Sequence, residues 1–156
     1  MRHQSTLQRT PITNHLLGVL ETSTFPVGNT NAPTAPYGWQ GEPNAEGTNF
    51  IPWIELMSGP SRPQSMQGFG DTGNDWISTY NVFYAGVNSS QTSLLADRMR
   101  VLLCNTARIS VSTDDGDLRI LKITCTAVGS TVKVSNTIPD YFTETDTFEV
   151  WTTKEL

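Results

Sequence analysis

Cysteine, histidine and charge are all scarce in this chain. It has two cysteines and two histidines, and only 16% of its side chains are Asp, Glu, Lys or Arg. Cys104 and Cys125 lie in separate apolar stretches without metal-ligand spacing, so they read as buried free thiols of a reducing compartment, not as a disulfide framework. His3 falls in a polar N-terminal segment, and His15 has neither a cysteine nor a second histidine near it, which leaves a metal site unsupported. No Ser-His-acid or Cys-His arrangement with a recognisable elbow occurs. Nothing marks Glu42, Glu46 and Glu55 as a catalytic carboxylate pair. An enzyme reading therefore has no motif behind it, and no cofactor is implied.

A basic stripe is also missing. Ten Lys and Arg stand against fifteen Asp and Glu, for a net charge of −5. The imbalance is uneven: residues 1–110 carry six basic and seven acidic groups (6 − 7 = −1), and residues 111–156 carry four and eight (4 − 8 = −4). Tight nucleic-acid binding is thereby disfavoured, and an acidic surface near DNA suits a passage better than a receptor. No apolar run approaches the ~18 residues of a membrane span. Leu16-Leu17-Gly18-Val19-Leu20 is too short for a signal-peptide core. The expectation is a soluble protein made in a cytoplasm. Its 156 residues suffice for one core. Ser, Thr, Asn, Gln and Gly fill the place of charge, and such a surface can be buried against other subunits without desolvating many ions.

What is present is a pattern of strands and two helices. Residues 1–9 are polar and without period, and read as a flexible N-terminal arm ahead of a single domain over 10–156. Thr10-Pro11 reads as an N-cap with proline at the first helical position. Ile12, Leu16, Val19 and Leu20 follow on one helical face, ending near Ser23. Residues 28–36 form a loop, Tyr37–Gln40 a short strand, and Asn49–Ser58 a strand with Pro52 indicating an edge or a bulge.

The most informative stretch runs from Asp75 to Asn105. Trp76 to Val87 is aromatic and β-branched, with apolar groups on both faces, as in a central strand or one that meets another subunit. The period then changes at Asn88-Ser89-Ser90, three good N-cap residues, to Leu94, Leu95, Met99, Leu102 and Leu103 at helical spacing. Asp97, Arg98 and Arg100 fall outside that face. Arg108–Thr113 and Asp117–Ala127 read as a hairpin turning at Asp115-Gly116. A short strand over Thr131–Val134 and a last strand over Thr145–Thr153 follow. The order is α-β-β-β-α-β-β-β. It predicts an α+β fold, a mainly antiparallel β-sheet with two α-helices packed on it.

Three motifs have bland readings. Gly68-Phe69-Gly70-Asp71-Thr72-Gly73 fits a dinucleotide fingerprint but lacks the preceding strand and following helix, so it reads as a loop. Asn88-Ser89-Ser90 fits the glycosylation pattern and reads as helix capping. Asp114, Asp115 and Asp117 fit no calcium loop and read as a polar hairpin tip. The long stretch 59–74 is expected to be a loop, with Arg62, Met66 and Phe69 as the residues able to anchor a partner.

The chain resembles the tail terminator proteins of long, flexible-tailed phages. The resemblance covers about Pro11 to Thr153. It is carried by Ile12–Leu20 running into Phe25-Pro26-Val27-Gly28, by the strand-to-helix unit Tyr80–Val87 and Leu94–Leu103, and by the closing strand Thr145–Thr153. It implies a hexameric ring at the head-proximal end of the tail tube that stops tube polymerisation and presents a surface to the head-completion (stopper) protein. The implied partners are copies of the chain itself, the major tail tube protein and the head-completion protein. Genomic DNA passes through without specific binding, and no membrane is involved. The implied location is the virion neck, after synthesis in the bacterial host cytoplasm.

Under this reading Arg62, Gln64, Met66, Phe69 and Asp71 are the expected subunit or tube contacts. Asp114, Asp115 and Asp117 are the expected acidic residues facing the DNA passage. Two other readings remain open. One is a head-completion adaptor or stopper ring. The other is a stand-alone ligand-binding module with Trp39, Trp53 and Trp76 as a platform.

Overall fold

A computed structural model describes residues 4–23, 25–29, 52–63, 75–106, 109–113, 116–135 and 140–154. Two helices and seven strands follow in the order α1 (Gln4–Glu21), β1 (Val27–Asn29), β2 (Trp53–Pro63), β3 (Asp75–Gly86), α2 (Ser89–Cys104), β4 (Ile109–Thr113), β5 (Gly116–Val128), β6 (Val132–Val134) and β7 (Tyr141–Lys154). The strands form one sheet in the order β1-β2-β3-β7-β5-β4, with β6 paired to the start of β7. Every pairing is antiparallel except β1 with β2. The α+β expectation therefore holds: a mostly antiparallel sheet with two helices.

Helix α1 begins at Gln4, not at Thr10. Pro11 lies inside it, where the missing N–H removes one intrahelical bond without ending the helix. Gln4–Arg9 contain neither Gly nor Pro, so nothing in them stops the helix from extending backwards past the proline. Ile12, Leu16 and Leu20 are buried at i, i+4 and i+8. At the C-terminal end the Thr22 and Ser23 hydroxyls donate to the carbonyls of Val19 and Leu20, both at 2.6 Å, beside the same residues' backbone amides, so each carbonyl has two donors.

Helix α2 starts as its sequence indicates. Asn88 is extended and its side chain accepts from the Gln91 amide at 2.7 Å, while the Gln91 side chain accepts from the Val87 amide at 2.7 Å. Gly86 is required just before this turn, because a Cβ there would stand 2.6 Å from the Thr92 hydroxyl. Leu95, Met99 and Leu103 enter the core as expected, but Leu94 is 53% exposed and Leu102 only half-buried. The apolar stripe is thus narrower than the leucine spacing suggested.

Both helices pack on the same face of the sheet, over Ile54, Leu56, Tyr80, Val82, Tyr84, Ile123, Phe148 and Val150. Strict alternation on β3 and β7 sends Tyr80, Val82, Phe148 and Val150 to that side. Thr13 of α1 is bonded to the Tyr80 hydroxyl at 3.0 Å, so a buried polar pair ties α1 to the centre of the sheet.

Three sequence boundaries move. The strand expected over Asn49–Ser58 runs from Trp53 to Pro63, so residues 59–63 are strand and not loop. Its continuation past Ser58 is bulged, which lets Gly59 and Pro60 be carried without ladder partners. The segment expected to be extended over Phe25–Gly28 gives a parallel strand at the sheet edge over Val27–Asn29. The closing strand is longer than expected and lies between β3 and β5. The short strand expected at Tyr37–Gln40 lies outside the described residues.

His15 is half-buried on α1, and its Nε2 has no hydrogen-bond partner. Burial lowers its pKa from the ordinary 6.5. The unfolded chain therefore binds the proton better, and stability is complete above pH 6.5 and declines as the pH falls below it. The melting temperature should drop between pH 7.5 and 5.5 in the native protein and drop less in His15→Gln. An equal drop in both would remove His15 as the source.

Candidate functional site

Two places concentrate polar chemistry. The first is an ion cluster where α2 meets β7. Arg100 points from α2 to the sheet, and its Nε donates to Asp146 Oδ2 at 2.7 Å. Its Nη2 donates to Asp146 Oδ1 at 3.1 Å and to Glu144 Oε2 at 3.0 Å. Its Nη1 binds Asp97, one turn back on the same helix. Asp146 is 0% exposed and sits on the helix-bearing face because it alternates with Phe148 and Val150.

The planar guanidinium fork suits this bidentate grip. The Asp146 hydrogen bond raises the Arg100 pKa further above its ordinary range, so the cation is permanent. Burial, followed by the Asp146 charge, pushes the Glu144 carboxyl up, and Arg100 partly opposes this. The Tyr84 hydroxyl lies buried beside Asp146 without reaching hydrogen-bond geometry, and burial raises its pKa above the ordinary value. One cation thus faces three carboxylates. The arrangement fastens a helix to a strand, and it contains no activated nucleophile.

The second place is the other face of the sheet, which no described helix covers. By register it presents Glu55 and Met57 of β2, Thr79, Asn81 and Phe83 of β3, and Thr145, Thr147, Glu149 and Trp151 of β7, all half-buried. Thr147 donates to the Asn81 side chain at 2.9 Å. Arg62 pairs with Glu149 at 3.5 Å. The Lys122 ammonium lies 4.0 Å from the centre of the Trp151 ring. At the far end Trp53 and Ala85 form a small apolar cluster with Phe83 and Tyr141. Ile77 is buried on this side as well, opposite Trp151. The face is broad, mixes hydroxyl, amide and aromatic groups, and has its Arg62 and Glu149 charges matched.

Of the residues singled out from sequence, Arg62 lies on β2, on this second face, and not in a loop. Asp117 is exposed on β5 opposite Ser112. β3 and β7 separate the two strands, so the sheet does not bring Arg62 and Asp117 together. Gln64, Met66, Phe69, Asp71, Asp114 and Asp115 lie outside the described residues, as does the glycine-rich 68–73 segment. Trp53 and Trp76 pair with opposite ends of the β2–β3 hairpin and fall on opposite faces by alternation, and Trp39 lies outside the described residues. Cys104 and Cys125 are free and half-buried, with burial raising both thiol pKa values. Among the described residues no three His, Cys, Asp or Glu side chains are grouped to hold a metal ion.

The Arg100 cluster was missed because its helical half was read as lying off the apolar face. A signal for it exists in the last strand, where Glu144 and Asp146 share the period-two face of Phe148 and Val150. Acids on a core-facing register demand a cation across from them.

No family model and no curated protein matches the chain. Eight chains of known structure are similar to it. One, whose name states no function, aligns over 96% of both chains with a TM-score of 0.51 and 14% sequence identity. At that identity the likeness shows a shared fold alone.

Proposed function

We propose that this chain is a structural subunit of a phage neck, a tail terminator that joins copies of itself into a hexameric ring at the head-proximal end of the tail tube. The observation that carries this reading is the one-sided placement of the helices. They rigidify one face of the sheet and leave the other as a wide surface of Thr, Asn, Met and aromatic side chains, suited to burial against further protein. The sequence resemblance in Ile12–Leu20, Tyr80–Val87 and Thr145–Thr153 supports the same role.

In this role the protein acts by shape, without turnover or cofactor. One surface stops the major tail tube protein from adding further rings, and another receives the head-completion protein. DNA crosses the ring unbound. A closed ring satisfies heterologous contacts without leaving a free end. Arg62 belongs to the contact surface, where its pairing with Glu149 lowers the cost of covering it.

Imaging virions of the encoding phage after gold-labelling this chain tests the proposal. The label is expected at the neck, between capsid and tail tube. Label on the capsid wall or tail tip, or a purified sample that turns over a substrate, overturns it. Label on the head side of the joint would instead identify a head-completion ring.

A further inference from the structure

The outer side of α2 carries a feature the core does not use. Leu94 is 53% exposed and Val101 62% exposed, and Arg98 lies between them at i+4. Beside this stripe is a hollow of about 190 Å³ lined by Phe25, Pro52, Gln91, Leu94, Leu95 and Arg98. Arg100, two residues further on, is engaged by three carboxylates. Arg98 makes no ion pair among the described residues. An unpaired guanidinium at an apolar rim selects a carboxylate, because apolar walls that exclude water strengthen the pair over an exposed one.

The complementary group exists on the same chain. Asp117 is exposed at the closed end of the β4–β5 hairpin and makes no ion pair among the described residues, with Arg119 two residues on along the same face. Asp114 and Asp115 add to the same charge in sequence. The hollow lies by the starts of β1 and β2, at the end of the sheet where β3 runs into α2. The hairpin closes at the opposite end, where Leu118 pairs with Lys154, and at the opposite edge. The two features therefore occupy opposite corners and cannot meet within one molecule.

We infer that the Arg98 hollow on α2 is a docking site for the acidic β4–β5 hairpin of a second copy of this chain. The contact is heterologous, each copy offering a hollow on one side and a hairpin on the other, which builds rings. Asp117 then belongs to the joint between copies and not to the DNA passage. This deepens the ring proposal and rests on it for the expectation of closure.

Sedimentation velocity of the full chain tests it. The native protein is expected to associate as its concentration rises. Arg98→Glu or Asp117→Lys alone should weaken association about tenfold or more by setting like charges against each other. An equimolar mixture of the two variants should associate again, because each supplies the partner that the other lacks. Circular dichroism identical to the native spectrum excludes misfolding as the cause. Native assembly that neither reversal weakens, or a mixture that stays dissociated, overturns the docking site and leaves the ring proposal standing. A native chain that is monomeric at every concentration overturns the docking site. Restored assembly in the mixture, with virion label away from the neck, leaves the docking site standing and overturns the neck role.

Discussion

Replacing Arg100 with methionine is expected to destabilise the protein by about 3–5 kcal/mol, because it leaves a buried carboxylate without its cation. For a chain of 156 residues this corresponds to a melting temperature lower by on the order of 10 °C. The argument rests on Asp146, which is fully buried and bound at two oxygens by Arg100. Arg100→Lys should fall between, since an ammonium keeps the charge and loses the fork. The penalty should shrink as the pH is lowered, because burial already pushes the Glu144 carboxyl up and its protonation removes one of the orphaned charges. Arg100→Met combined with Asp146→Asn and Glu144→Gln should recover most of the loss. Thermal melts of the four proteins at two pH values check all of this. A single Arg100→Met variant within about 1 kcal/mol of the native protein would mean that the acids are in contact with water.

Phe148→Ala should cost a similar amount, about 3–5 kcal/mol. The reason is different. Phe148 is 1% exposed and stands between Tyr80 on β3 and Cys125 on β5, so its ring fills the middle of the sheet's packed face. Neighbouring strands are held by ladders on both sides and cannot collapse into the gap. Phe148→Leu should cost under about 1.5 kcal/mol by keeping most of the volume. Urea denaturation separates the two: the midpoint should shift while the slope stays constant. A small loss for alanine would show that the helices settle onto the sheet when the ring is removed.

Local pattern carried much of the fold. The asparagine cap at Asn88 and the period change after Gly86 are short-range signals, and each sits where its chemistry requires. The β4–β5 register, with Ile109 opposite Ile120, Val111 opposite Leu118 and Thr113 opposite Gly116, sets Gly116 in the strand, one residue off the turn expected at Asp115-Gly116. What sequence did not disclose depends on partners far along the chain. Pro11 looked like a helix start because proline is favoured there, and only the intact turns on both sides show that the helix passes through it. Leu94 looked like core by spacing, yet the buried side of α2 is Thr92, Leu95, Ala96, Met99 and Leu103. Arg100 was classed with the solvated face because its acids lie 44 and 46 residues away. Of the contact candidates, Arg62 is legible only by its exposure, since the bulge that places it opposite Ile77 leaves no mark in composition.

The position of β7 has a consequence for synthesis. This strand leaves the ribosome after every other described strand, yet it is inserted between β3 and β5, pairing Asp75 with Thr153 across half the length of the chain. Until it emerges, β3 and β5 each present a bare edge and the packed face lacks Phe148 and Val150. Translation thus gates completion of the fold: a nascent chain cannot offer finished surfaces to any partner, and one halted before Tyr141 would be a target for chaperones and proteases.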